Sequence, residues 1–271
     1  MTLFSLNKKT AIVTGACGLI GTKHCEALAQ VGANVVVADL DTDKCQILAN
    51  NLPKQTDQQH LGIGLDVTDA ASLSVARDAI LKQYGSIDVL VNNAAINDMF
   101  ENPLLAAEQS MFENYPLQMW QRALDVNVTG VFLCSQVFGT QMATQGKGSI
   151  INIASTYGIV GPDQSIYIDP SGKQTFYKSA AYPATKGAVI GFTRFLAAYW
   201  GKKGVRVNTL SPGGVENNQN EWFVDNYSQK TALKRMAKAD DYQGALIFLA
   251  SDASSYMTGA NLVVDGGWTT M

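Results

Sequence analysis

Short apolar runs alternate with amphipathic segments along the whole chain. The runs are rich in β-branched residues and cover 10–15, 33–40, 61–67, 87–95, 148–155, 204–212 and 260–267. Between them apolar residues recur with helical spacing, as in 21–32, 71–85 and 240–252. Continuous apolar strands that alternate with helices are typical of a parallel sheet covered on both faces. The pattern therefore predicts one doubly wound α/β domain over residues 1–271, with about seven parallel strands.

Three long segments interrupt this alternation at one edge of the predicted sheet. Residues 96–118, 156–181 and 214–236 follow the fourth, fifth and sixth strands and are rich in Asn, Gln, Asp and aromatic residues. Each could be an ordinary solvated loop. Ligands in such folds bind beyond the carboxyl ends of the strands, where all three segments lie. We therefore expect them to form the walls of a polar substrate pocket.

Composition narrows the classes of partner. Of the 271 residues 46% are apolar, and the net charge is −3. The chain has no basic run of the kind that binds a nucleic-acid backbone, so nucleic acid is a poor candidate partner. The start MTLFSLNKKT turns polar early, and no apolar run reaches the roughly 18 residues of a membrane span, so we expect a cytoplasmic protein. Four scattered cysteines and two histidines argue against a zinc site, a disulfide framework and a catalytic triad.

The stretch TAIVTGACGLIG, residues 10–21, runs from a strand through a glycine turn into a helix. Gly15, Gly18 and Gly21 allow the backbone to approach a pyrophosphate at the helix N-terminus. Asp39 follows Gly21 by 18 residues at the end of the second strand, where its carboxylate can accept hydrogen bonds from a ribose diol. It would repel a 2′-phosphate, and Leu40 provides no cation. The pattern predicts NAD rather than NADP; the alternative is a surface aspartate at a strand end.

The spacing Tyr-x-x-x-Lys occurs twice, at Tyr182/Lys186 and at Tyr199/Lys203. Residues four apart share a helix face, so each lysine could lie near its tyrosine. A neighbouring ammonium stabilises the phenolate and lowers a tyrosine pKa from its ordinary value near 10. Pro183 suits a first helical turn, which places Tyr182 at the ligand edge of the sheet. Tyr199 closes the same helix, so the second pair is interpreted as surface decoration.

Eight motifs in order give the chain a strong resemblance to the single-domain short-chain dehydrogenases/reductases. They are TGACGLIG, LDV, NNAA, DVNVTG, NIAS, YPATK, RVNTLSPGG and VDGG, between about Lys8 and Gly267. The resemblance implies a Rossmann-like fold, a nicotinamide cofactor, a small-molecule substrate and a homotetramer or homodimer. The catalytic residues that it implies are Asn127, Ser155, Tyr182 and Lys186. The cofactor-binding residues predicted from the glycine turn, Asp39 and the resemblance are Gly15, Cys17, Gly18, Leu19, Ile20, Gly21, Asp39, Leu40, Asp66, Val67, Asn93, Ala94, Ala95, Pro212, Gly213 and Val215, with Tyr182 and Lys186.

The roles implied for the four catalytic residues agree with their chemistry. Ser155 would hydrogen-bond the reacting oxygen, and Tyr182 would transfer the proton as general acid or base. Lys186 would tune Tyr182 and hold the nicotinamide ribose, while Asn127 would support a water that relays the proton. Taken singly, each has an ordinary structural explanation, such as a strand cap or a solvated cation.

Three positions depart from the family pattern. Leu19 stands where the single-domain branch has its second glycine, a spacing shared with the extended branch of epimerases and dehydratases. Ser155 precedes Tyr182 by 27 residues, about twice the usual gap, so the insertion is expected to loop over the substrate. Asn217 replaces a threonine that commonly contacts the nicotinamide. The motifs NNAA and SPGG still favour the single-domain branch.

The insertion is most similar to bacterial oxidoreductases of flagellin modification and surface-polysaccharide sugars. This resemblance predicts a polyhydroxylated substrate, a sugar or sugar derivative whose secondary alcohol and ketone are interconverted. The alternatives are a 3-oxoacyl thioester, a small polyol, or a dinucleotide-binding protein without turnover. Cations that could neutralise an acidic substrate, or simply be solvated, are Lys173, Lys178, Lys230, Lys234 and Arg235.

Overall fold

The computed structural model describes residues 2–55, 57–97 and 106–270. Within these ranges seven strands form one parallel sheet in the order β3-β2-β1-β4-β5-β6-β7. They are β1 (Thr10–Thr14), β2 (Asn34–Asp39), β3 (Leu61–Gly64), β4 (Val89–Asn92), β5 (Gly148–Ile153), β6 (Val205–Pro212) and β7 (Asn261–Val264). Each strand falls inside one of the seven apolar runs. The predicted doubly wound α/β fold is confirmed.

Helices connect the strands and cover the sheet. They are α1 (Leu19–Gln30), α2 (Thr42–Asn51), α3 (Ala70–Tyr84), α4 (Ala106–Ser110), α5 (Leu117–Leu124), α6 (Gly130–Cys134), α7 (Thr140–Gln145), α8 (Ala181–Trp200), α9 (Glu221–Gln229) and α10 (Gln243–Ala250). π-Helical turns at Asp125–Thr129 and Ser135–Gly139 join α5, α6 and α7. None of the helices in the described ranges is both long and apolar enough to span a membrane.

The core lies in two layers, one on each face of the sheet. Ile12 and Val36 belong to the cluster packed by α3 and α8, whereas Val13 and Val37 face the cluster packed by α1 and α10. All four side chains are fully buried. Because both faces are covered, successive strand residues are apolar rather than alternating, which explains the continuous runs in the sequence.

The insertion between β5 and α8 is a packed structure rather than an extended loop. It contains 3-10 turns at Thr156–Gly158 and Gln164–Tyr167 and an antiparallel bridge between Ile168 and Gln174. Its aromatic side chains form a third cluster with residues of α9. Sequence reasoning emphasised its polar residues and did not foresee this apolar centre.

The three segments beyond the strands contact one another. Lys230 forms an ion pair with Asp163 at 2.9 Å, which joins the third segment to the insertion. The Tyr177 N–H donates to the Ser110 hydroxyl at 2.9 Å, which joins the insertion to the first segment. Part of the first segment, residues 98–105, lies outside the described residues. The contacts place the described parts together at the carboxyl edge of the sheet, as expected from their positions in the chain.

Candidate active site

The glycine turn after β1 is held so tightly that side chains would disrupt it. Gly15 has φ +60°, and an added Cβ would lie 2.7 Å from the backbone of Ala94. A Cβ at Gly21 would lie only 2.2 Å from the Gly15 carbonyl oxygen. The Asn93 amide donates to that same oxygen at 2.9 Å. The turn therefore presents bare backbone at the N-terminus of α1, as a pyrophosphate requires.

Asp39 is fixed in place at the end of β2. One carboxylate oxygen accepts the Cys17 N–H at 2.9 Å, and the other accepts the Leu40 N–H at 2.8 Å. The side chain is half-buried and lines a cavity that also borders Gly15 and Gly18. The carboxylate is thus oriented by the glycine turn before any ligand arrives.

This cavity, of about 790 Å³, brings together most of the predicted cofactor residues. They are Gly15, Gly18, Leu19, Ile20, Gly21, Asp39, Leu40, Asp66, Val67, Asn93, Ala94 and Ala95. Its volume, bare glycine backbone and carboxylate fit a dinucleotide. Ile96, Asn97, Arg122 and Asp125 also line it, although sequence reasoning did not single them out. Asp125 belongs to the DVNVTG motif, which was the available signal; nothing pointed to Arg122.

Six predicted cofactor residues lie outside the lining of this cavity, and two of them, Tyr182 and Lys186, belong to the catalytic group described next. The Cys17 backbone holds Asp39, while its sulfur lies 3.8 Å from that of Cys45. Pro212 ends β6, and the Gly213 N–H donates to the Val264 carbonyl at 2.9 Å. Val215 packs against the core. Asn217, at the position of the family threonine, is exposed and donates its backbone N–H to Gln219.

Ser155 and Tyr182 meet despite the long insertion between them. Ser155 lies just beyond the end of β5, and Tyr182 is in the first turn of α8. The serine hydroxyl is close enough to the phenol to lower the pKa of Tyr182. Lys186 lies one turn further along α8, where it is buried and its Nζ donates to the Ile153 carbonyl at 2.9 Å. The predicted constellation is therefore assembled by the ends of a strand and a helix.

Asn127 lies in the π-helical turn that follows α5. Its side-chain oxygen accepts the Ile96 N–H at 2.8 Å, and its amide nitrogen donates to the Ile96 carbonyl at 3.0 Å. The same nitrogen is 3.3 Å from the Thr185 hydroxyl, next to Lys186. The amide is thus engaged by protein groups and ties the segment after β4 to α8, a connection that its implied role as a water support did not include.

Burial dominates the electrostatics around the phenol. It raises the pKa of Tyr182, and the nearby Ser155 hydroxyl partly opposes this effect. Burial also lowers the pKa of Lys186 to about 8, with a further contribution from the charge of Lys178. In the protein without a cofactor the phenol is therefore neutral at pH 7. The pKa of Lys186 is therefore close to neutral pH. A positive or negative charge added to the site would strongly change the protonated fraction of this lysine.

Comparisons with known proteins agree with this geometry. A family model described as "Enoyl-(Acyl carrier protein) reductase" matches residues 15–269. The chain belongs to the short-chain dehydrogenase/reductase family. It is 37% identical over 271 residues to a D-threitol dehydrogenase of Mycolicibacterium smegmatis, covering 98% of this chain and 95% of the relative. It is 32% identical over 263 residues to the post-translational flagellin modification protein A of Campylobacter coli, covering 97% and 99%.

Solved structures of the same family share the whole architecture. The crystal structure of a gluconate 5-dehydrogenase from Burkholderia cenocepacia, in complex with NADP and tartrate, matches with a TM-score of 0.82 and 31% identity. The match covers 100% of this chain and 98% of that protein. The family membership and the seven-stranded fold predicted from the motifs are thus confirmed together.

The second tyrosine–lysine pair has none of the features of a short-chain dehydrogenase/reductase site. Tyr199 is 59% exposed near the end of α8, and its ring stacks on Phe195 with centroids 5.7 Å apart. Lys203 lies beyond α8 in a 3-10 turn and is also exposed. The structure therefore agrees with the interpretation of this pair as surface decoration.

The five candidate cations are now distinguished by their surroundings. Lys230 pairs with Asp163, Arg235 pairs with Asp241 at 2.6 Å, and Lys234 donates to a backbone carbonyl. Lys173 is exposed. Lys178 is different, because it is 8% exposed and its Nζ lies 4.2 Å from the centre of the Tyr182 ring. Sequence reasoning gave it no more weight than the others, since only the folded insertion brings it to the phenol.

Many polar side chains of the insertion hold the insertion itself together. The Gln174 amide donates to the backbone carbonyls of Gln164 and Phe176 at 2.9 and 2.7 Å. The Asn226 amide, from α9, donates to the carbonyl of Ile168 at 3.0 Å. These amides satisfy backbone groups of an irregular segment that would otherwise be unpaired. Their abundance in the sequence therefore has a structural explanation that is independent of any substrate.

Proposed function

We propose that the chain is an NAD(H)-dependent oxidoreductase that interconverts a secondary alcohol and a ketone, on a sugar or sugar derivative of glycan biosynthesis. The observation that carries the reaction type is the Ser155 hydroxyl close to the Tyr182 phenol, with Lys186 buried one turn along the same helix. A phenol that shares a hydroxyl partner and has an ammonium nearby is suited to move one proton in either direction.

Each side chain has a definite part in this reaction. A nicotinamide held by the residues of the cofactor cavity would supply the hydride acceptor for oxidation of the alcohol and the hydride donor for reduction of the ketone. In oxidation the Tyr182 oxygen takes the hydroxyl proton, while the Ser155 hydroxyl donates a hydrogen bond to the substrate oxygen. Lys186 stabilises the phenolate that precedes this step. In reduction Tyr182 delivers the same proton to the forming alkoxide.

The choice of NAD over NADP depends on Asp39. Its carboxylate is held at the cavity wall by two backbone N–H groups, and its remaining lone pairs are suited to two ribose hydroxyls. A 2′-phosphate at that position would meet like charge. Arg122 lines the same cavity, so the preference follows from where the carboxylate stands relative to the ribose rather than from the net charge of the site.

The substrate class is supported by relatives more than by the loops. One relative is described as a D-threitol dehydrogenase, and another as a gluconate 5-dehydrogenase in complex with tartrate. Threitol, gluconate and tartrate are all polyhydroxylated compounds. A third is described as a flagellin modification protein, which supports a role in glycan biosynthesis. The amides of the insertion are committed to backbone groups and therefore carry little of this part of the proposal.

A substrate screen tests the proposal directly. Purified protein is offered NAD⁺ or NADH with sugars, nucleotide sugars, small polyols, their keto forms and 3-oxoacyl thioesters, and absorbance of NADH is followed. Tyr182→Phe should abolish turnover and leave cofactor binding intact. Tyr199→Phe is the matched control, since it removes a hydroxyl from the other Tyr-x-x-x-Lys pair and should leave the rate unchanged. Turnover of acyl thioesters alone would overturn the sugar proposal, and full activity of Tyr182→Phe would overturn the mechanism.

We also propose that the protein works as a homodimer or homotetramer. Phe132, Phe195 and Tyr199 are exposed together on α6 and α8, along a groove of about 890 Å³. Large aromatic residues grouped on one face are typical of an interface. The second copy offers the matching surface in a symmetric assembly. The edge strand β7, with Val263 partly exposed, is a second face where copies could meet.

A further inference from the structure

Lys178 is placed against the catalytic phenol by the insertion that distinguishes this chain. Its Nζ lies 4.2 Å from the centre of the Tyr182 ring, nearer than the Nζ of Lys186 at 5.6 Å. It also donates a hydrogen bond to the side-chain oxygen of Asn97, at the wall of the cofactor cavity. The ammonium therefore contacts both a residue of the cofactor cavity and the ring of Tyr182.

The backbone of Lys178 is fixed from both sides by one residue. The Lys178 N–H donates to the Gln164 side-chain oxygen at 2.8 Å, and the Gln164 amide nitrogen donates to the Lys178 carbonyl at 2.9 Å. Gln174 in turn donates to the Gln164 carbonyl. Two successive layers of the insertion therefore hold the lysine in one position, which is the requirement for a side chain that must keep a set distance from a reacting group.

The Lys178 ammonium is buried against the ring of Tyr182 and close to the second ammonium, that of Lys186. Lys178 and Lys186 are both buried, and the charge of Lys178 contributes to the lowered pKa of Lys186. A neutral aromatic ring attracts a cation weakly, whereas a phenolate attracts it as a full opposite charge. The arrangement therefore favours the ionised form of Tyr182 over the neutral form.

We propose that Lys178 is a positioning residue for proton transfer, which stabilises the phenolate of Tyr182 together with Lys186. This inference rests on the proposed function, in which Tyr182 is the acid and base. It also gives the insertion a defined role, because the folded insertion delivers a second cation to the phenol in addition to the helical Lys186.

The other groups near the phenol do not compete for this role. Ser155 contributes a neutral hydroxyl from the end of β5. Burial raises the pKa of Tyr157 and of Tyr227, the latter to about 12, so both stay neutral. The charged groups on the elements packed against α8 that lie toward the cofactor cavity are Arg122 and Asp125. Among the described side chains, Lys178 and Lys186 are the cations in contact with the ring.

The test measures the ionisation of Tyr182 without turnover. Tyrosinate absorbance is titrated in the full-length protein, free and with NAD⁺, and the same titration of a Tyr182→Phe version of each variant is subtracted. Lys178→Met, which keeps length and apolar bulk, should raise the midpoint of the Tyr182 titration by about 1 to 2 pH units. Lys178→Arg should bring the midpoint most of the way back to that of the unaltered protein. Lys173→Met removes an exposed cation of the same insertion and should leave the midpoint unchanged.

Kinetics give a second, independent readout. Below the Tyr182 midpoint the rate of alcohol oxidation follows the phenolate fraction. Lys178→Met should therefore lose about tenfold in kcat/KM for each pH unit by which the midpoint rises, and should regain this activity at high pH. Ketone reduction at the same pH should fall by the same factor when the affinities for both cofactor forms are unchanged, because the substitution leaves the overall equilibrium unchanged and a phenol of higher pKa is a weaker acid. A merely structural lysine would instead lower the rate by a similar factor at every pH.

Each outcome decides a different question. An unmoved Tyr182 midpoint in Lys178→Met would overturn the inference and assign the ammonium to packing. A defect confined to KM for substrates that carry a carboxylate or phosphate would also overturn it and assign the ammonium to substrate binding. A raised midpoint in a protein that oxidises no alcohol would uphold the inference and reject the proposed function. Melting temperatures of all variants identify any that fail to fold, and Lys178→Arg then carries the comparison.

Discussion

An Asp39→Asn variant should lose the proposed preference for NADH over NADPH. The substitution keeps the shape of a side chain whose oxygens accept the N–H groups of Cys17 and Leu40 at 2.9 and 2.8 Å, but it removes the charge and one acceptor. A hydrogen bond to a charged acceptor contributes about 1.5–3 kcal/mol, so the NADH dissociation constant should rise about ten- to hundredfold. Repulsion of a 2′-phosphate, about 1–4 kcal/mol per charge pair at 4 Å, is removed as well.

Weaker binding of NADH and the removed repulsion of NADPH both lower the ratio of the NADPH dissociation constant to the NADH dissociation constant. We expect the NADPH-to-NADH ratio to fall by at least about fiftyfold, measured by calorimetric titration of each cofactor. Asp66→Asn is the control, because Asp66 lines the same cavity and would contact the adenine shared by both cofactors. That variant should weaken both cofactors equally. A wild-type protein that binds NADPH more tightly, or an unchanged ratio in Asp39→Asn, would refute the assignment of Asp39 to the ribose.

Three further predictions concern stability, the glycine turn and assembly. His24 is buried, neither ring nitrogen has a hydrogen-bond partner among the described residues, and its pKa is lowered from 6.5 to about 4. The unfolded chain binds the proton more readily, so stability should fall by about 2 kcal/mol from pH 7 to pH 5 through this residue. Urea denaturation should show a smaller loss in His24→Leu; equal losses would contradict this. Gly21→Ala, whose Cβ meets backbone at 2.2 Å, should cost about 1–3 kcal/mol and weaken cofactor binding, whereas Gly18→Ala, with 3.4 Å of room, should cost well under that. Phe195→Asp should reduce the mass seen by light scattering, and an unchanged mass would exclude this face as the interface.

The fold was predictable from local patterns because burial on both faces of a parallel sheet leaves a direct record in the sequence. The seven apolar runs coincide with the strands. The helix that carries Tyr182 begins at Ala181, just before the proline that suggested its first turn. The glycine turn was equally legible, since only glycine tolerates the contacts at Gly15 and Gly21.

The insertion was the part that local patterns described incompletely. Its Asn, Gln and Asp residues suggested a polar wall for a substrate, but in the structure the amides of Gln164 and Gln174 satisfy backbone groups. Its aromatic residues pack with α9 into a separate cluster. An amide in an irregular segment can serve a ligand or its own backbone, and composition does not distinguish these uses.

The sequence by itself determined the seven-stranded sheet and the glycine turn, because they follow from periodicity and from a short motif, and the family resemblance proposed Ser155, Tyr182 and Lys186 as candidate catalytic residues. Tertiary structure alone decided which residues from distant segments meet. It brought the Ser155 hydroxyl close to the Tyr182 phenol across a separation of 27 residues. It also selected Lys178 from five similar cations. Spacing along the chain carries no information about such contacts, because they depend on how an irregular segment folds back over the site.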